Sequence, residues 1–146
     1  MSTKLIKTQR LNEHYILEVN DKKPYFKVND IKIHWGFIFL PKSFRAITLF
    51  GRVFTNLSKN ELYEYLLTPR GIKTINHERI HILQAQSFRF KYLSFYAYYL
   101  YYWIIGLFKY GTKDNKSYYK IPFEKEAYYN ENNNQYLTTY WKSYLD

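Results

Sequence analysis

The chain contains no cysteine. That excludes a disulfide framework and every thiolate metal site, so any bound metal must rest on histidine and carboxylate groups. Histidine is itself scarce, at four among 146 residues, which leaves few imidazoles to choose from. Acidic residues are outnumbered, 12 against 22 Lys and Arg, giving a formal charge of +10. Such a balance suits an anionic neighbour, either nucleic acid or a membrane surface. The basic residues form no block longer than Lys22-Lys23 and accompany no recognisable nucleic-acid module, so nucleic acid is the weaker of the two partners. Residues 1–11 lack the apolar core of a secretory signal, and the expectation is a cytoplasmic protein, with association to an anionic membrane as the open alternative. No internal repeat or linker breaks the chain, and its length suits one domain over 1–146, with 1–13 as a loosely ordered arm.

What is abundant is aromatic. The 18 Tyr and 11 Phe exclude a disordered polyampholyte and predict a core of rings whose hydroxyls need partners. Alternating runs at Tyr15–Val19, Tyr25–Val28 and Ile31–Trp35, divided by turn residues, predict a small antiparallel sheet. Ala46–Thr55 reads as one or two strands around Gly51, and Gly36–Phe44 is left unassigned. Ser58 and Glu61 form a capping-box pattern for a short helix to Leu67, ended by Pro69 and Gly71, with Thr74 or Asn76 capping the next helix. Tyr92 to Phe108 carries no charge between flanking basic residues, and its six tyrosines favour a buried or interfacial helix over a membrane span. Pro122 opens a further helix, and Tyr136–Leu145 with Trp141 reads as a short amphipathic tail. Sheet first and helices after, the chain is expected to be α+β.

The chemistry concentrates at Asn76-His77-Glu78-Arg79-Ile80-His81. Residues four apart share a helix face, so His77 and His81 can offer two nitrogens to one Zn2+ while Glu78 stands ready to take a proton from its water. Two imidazoles do not close a catalytic zinc site, which needs a third protein ligand. His14 and His34 have no motif around them. Glu124 and Glu126 lie on a separate helix that could cross the first, and either could be the third ligand according to its register. Left unused, Glu126 points two residues away and is expected to be solvated.

The pair Asn76–His81 and Phe123-Glu124-Lys125-Glu126-Ala127-Tyr128 resembles the gluzincin metallopeptidases, in particular the CAAX-prenyl endopeptidase and its bacterial membrane-protease relatives, where H-E-x-x-H is followed at long range by E-x-x-A-D. Matched residue by residue, Glu124 takes the ligand position, Ala127 the small packing position, and Tyr128 stands where that family has Asp, a residue that supports the site from behind. The chain also resembles small zincin-like proteins of Bacteroidetes type, over roughly residues 46–135 and including that Tyr. The resemblance implies a minimal zincin-like fold, a small sheet followed by a helical half bearing the metal. It implies a zinc-dependent hydrolase, a metallopeptidase acting on peptide or protein substrates. His77, His81 and Glu124 would be its ligands, Glu78 its general base, and Tyr128 or another tyrosine its oxyanion donor. The strand before Thr55 is then the candidate edge for an extended substrate, with an ordinary core strand as the alternative. The competing expectation is a non-catalytic zinc-containing binding or membrane-associated module.

Overall fold

The structure is a computed structural model that describes residues 6–40, 46–88 and 90–136. The amphipathic tail expected from Tyr136 onward lies outside the described residues except for Tyr136 itself, as do residues 1–5 of the expected arm and part of the unassigned segment.

Six strands form one sheet: β1 (Ile6–Arg10), β2 (Ile16–Asn20), β3 (Tyr25–Val28), β4 (Ile31–His34), β5 (Ala46–Leu49) and β6 (Arg52–Thr55). Their order is β1-β2-β3-β4-β6-β5, antiparallel throughout except between β4 and β6. Alternation works as expected. Leu17, Phe26, Val28, Ile33 and Val53 point to one buried cluster against the first two helices, while their neighbours face outward.

β1 corrects the expectation of a loose arm. It pairs along its whole length with β2, from Ile6 opposite Asn20 to Arg10 opposite Ile16. All five of its residues are exposed, so backbone pairing rather than burial holds it, and no hydrophobic alternation marks it in the sequence. Between β5 and β6 the two-residue turn Phe50-Gly51 has positive φ at both positions, as a tight hairpin turn of primed type requires. Ala46–Thr55 is therefore two strands, and β5 is the last strand of the described sheet.

The helices are α1 (Lys59–Leu66), α2 (Pro69–Gln86), α3 (Tyr92–Tyr110), α4 (Lys116–Tyr119) and α5 (Pro122–Asn130), with one 3-10 turn before α4. The capping box forms as expected, with the Ser58 side chain accepting from the Glu61 amide and Glu61 accepting from that of Ser58. The start of α2 does not. Thr68 is its cap and Pro69 its first residue, because a proline at the first helical position loses no hydrogen bond. A Cβ at Gly71 would collide with the Tyr65 carbonyl oxygen, so the α1–α2 corner closes only around glycine. α2 consequently runs for 18 residues, one face against the sheet core and the other against α3 and α5. Asn76 is no cap but a buried mid-helix residue, accepting from the Tyr15 hydroxyl and donating to the Glu131 carbonyl and Asn134. α3 buries only Phe95 and Gly106. Among the described residues no helix is long and apolar enough to cross a membrane.

Candidate metal centre

The middle of α2 carries His77, Glu78 and His81, all buried, with potential ligand atoms within 4.8 Å of one another. This group could hold a metal ion. α5 crosses α2 and adds Glu124 from its first turn. The Glu124 Oε1 lies 3.1 Å from His77 Nε2 and its Oε2 lies 3.1 Å from His81 Nε2. The two Nε2 atoms are themselves 3.2 Å apart. Ligands bonded to zinc at about 2.0–2.1 Å in a tetrahedron stand about 3.3 Å from one another, so the three edges match such a site closely.

The imidazole tautomers follow from what surrounds them. The Gln84 amide nitrogen donates to the Phe123 carbonyl and to Glu126 Oε1, at 2.9 and 2.7 Å. Its oxygen must therefore face His81 Nδ1, 2.8 Å away, and that nitrogen must donate. His77 Nδ1 likewise donates to Glu131 Oε2 at 2.8 Å. Both Nε2 atoms are left as acceptors turned toward each other and toward a carboxylate. Such a convergence of lone pairs in a buried site calls for a cation between them.

In the metal-free chain that cation is a proton. Burial pushes the His77 pKa down, but hydrogen bonds to Glu124 and Glu131 outweigh it and raise it to about 10. His81 is also raised, burial being overcome chiefly by the Glu124 charge. Glu124 is opposed by its own burial yet held well below the usual carboxylate range by the two imidazoles. Glu78 behaves differently. Burial raises its pKa despite both imidazoles, and its Oε2 accepts from the Thr48 hydroxyl on β5 at 3.2 Å.

Glu126, expected to be solvated if not a ligand, is buried instead. It anchors Gln84 and accepts from the Tyr136 hydroxyl at 2.6 Å, so it supports the site one layer out and does not join His77 and His81. Tyr128 packs its ring edge against His77, 4.4 Å between centroids, with its hydroxyl 3.3 Å from that of Tyr118. Burial is the main cause that raises its pKa to about 12. His14 and His34 lie in the sheet half; His34 stacks on Phe54 beside Arg52, away from the cluster.

Five participants escape the sequence reading. Tyr99 and Tyr118 donate to Glu124 at 2.6 and 3.0 Å, and burial together with that carboxylate pushes both hydroxyls well up. Glu131, Gln84 and Thr48 complete the outer contacts. Two of them have a spacing that marks them: Gln84 is one turn beyond His81, and Glu131 is two turns beyond Glu124. The tyrosines have none among 18.

The centre lies at the meeting of two cavities along β5. One, about 350 Å³, is apolar and lined by Leu49, Phe95, Tyr96 and Tyr99 as well as Glu78 and His81. The other, about 330 Å³, is mixed in character and includes Arg70, Lys73, Tyr128 and Glu131 with His77. Ala46, Glu78 and Tyr118 line both. No protein-family model, no curated protein and no solved structure matches the chain.

Proposed function

We propose that the protein is a zinc-dependent hydrolase, a metallopeptidase with a minimal zincin-like fold, in which His77, His81 and Glu124 hold the metal. The observation that supports this reading is the convergence of two imidazole Nε2 atoms and one carboxylate at 3.1–3.2 Å, beside the buried carboxylate of Glu78. Zinc suits a nitrogen and carboxylate donor set, and when bound it supplies a Lewis acid that makes water nucleophilic near neutral pH. The paired motifs keep their likeness to the gluzincins. The outer support that those proteins draw from an Asp, replaced here by Tyr128, comes from Glu131 on His77.

Glu78 is the general base. Its raised pKa brings it toward the working range of a proton acceptor, and Thr48 fixes the carboxylate. It takes a proton from the attacking water and hands it to the leaving amine. Tyr128, protonated up to about pH 12, is assigned as donor to the oxygen that gains charge. The peptide lies along β5. The Tyr96 hydroxyl already donates to the Thr48 carbonyl, so pairing falls to the next outward position of the alternating edge, Ala46, which lines both cavities.

The test is hydrolysis of casein or short peptides by zinc-loaded protein. Glu78→Gln should keep the metal and lose turnover; a variant as active as the parent would sink the mechanism.

A further inference from the structure

Among the described residues, α3 presents an unpartnered face whose chemistry is specific. Leu93, Ala97, Leu100, Tyr101, Ile104 and Phe108 are all exposed and recur at intervals of three and four, which sets them in one stripe along the helix. Leu93 is 75% exposed and Phe108 89%, values that place whole side chains in solvent. The stripe runs for about 22 Å. Phe95, Tyr99 and Gly106 occupy the opposite side, against the body of the protein, so an occupant of the stripe leaves the metal centre uncovered.

Charge says what the occupant is. α3 contains no acidic residue, and from Lys91 to Lys120 five lysines accompany the single Asp114. Lys91 and Lys109 stand at the two ends of the stripe. A second copy laid along it, parallel or antiparallel, would set lysine against lysine. An anionic surface meets both ends favourably. The composition agrees: Trp103 on the stripe's flank is partly exposed, and tyrosines cover the rest, the residues enriched where hydrocarbon meets headgroups. We infer that α3 is a membrane-docking helix that lies in the interface of an anionic bilayer, its stripe in the acyl boundary and its lysines among the phosphates. The inference is independent of the hydrolase reading.

Vesicle flotation of the full chain tests it. Vesicles of phosphatidylcholine with about one third phosphatidylserine should carry the protein, with binding weakened by added salt and Trp103 emission shifted to the blue. Ile104→Glu with Phe108→Glu should reduce binding on the order of tenfold or more while the circular dichroism stays unchanged. If that pair fails to fold, Leu93→Gln with Leu100→Gln reads the same stripe. Equal binding to pure phosphatidylcholine, or unchanged binding of the folded variants, would overturn the proposal. So would the absence of flotation, a second copy covering the stripe being seen as sedimentation at twice the monomer mass.

Discussion

α2 and α3 are nearly the same length, 18 and 19 residues, and they reverse the usual relation between polarity and burial. α2 buries Asn76, His77, Glu78, His81 and Gln84. α3, made almost wholly of aromatic and aliphatic residues, buries two. A buried polar side chain is tolerated only when its hydrogen bonds are met, and along α2 each of these five has a partner supplied by β2's neighbour Tyr15, by Thr48 or by α5 and the residues just after it. An exposed apolar stripe carries no such requirement inside the molecule and points outward to something else. The polar helix is thus the centre of the structure and the apolar helix its margin.

The sharpest way to break this contrast is Glu78→Gln. It keeps the volume of α2's buried face but removes the carboxylate proposed as base, and peptide turnover should fall by about 10²–10⁴-fold at unchanged metal content. Glu131→Gln leaves His77 Nδ1 without its carboxylate partner. Zinc affinity should drop by about 10–100-fold in competition with a chelator. A His77 pKa raised to about 10 means that this residue stabilises the metal-free fold fully below its ordinary value of 6.5, a contribution lost as pH rises through about 10. At pH 7 zinc must therefore displace a proton, and affinity should rise toward about tenfold per pH unit. Titration calorimetry in buffers of different ionisation enthalpy reads that proton directly; identical heats would contradict it.

Smaller effects separate the helices by stability. Gln84→Ala removes the acceptor of His81 Nδ1 and one of the donors to Glu126, and should cost about 2–3 kcal/mol in urea unfolding. Phe108→Ser on α3 should stay within about 0.5 kcal/mol, although it removes a far more hydrophobic side chain. A large loss at Phe108 would show that the stripe is packed and not open.

The difference between the helices also explains what the sequence could disclose. His77, Glu78 and His81 are legible because their geometry is local, one helical turn on one face. Glu124 was reachable only through the likeness of a second motif, and nothing in its spacing alone chooses it over Glu126; the choice falls to a helix crossing 40 residues later in the chain. Tyr99, Tyr118 and Thr48 reach the centre by contacts between distant segments, and residues so common carry no mark of it. β1 hides for another reason. It is held by backbone pairing with no buried side chain, so no periodicity announces it. Pro69 and Gly71 resemble a helix stop, yet the same residues open α2 because proline at a first position and glycine at a close approach serve a start equally well.

The most direct test of the account is the metal content of protein purified without chelator. It predicts close to one zinc per chain, lost in His81→Ala, with added zinc raising the melting temperature of the stripped parent. Metal-free parent protein whose melting temperature does not respond to zinc would contradict it.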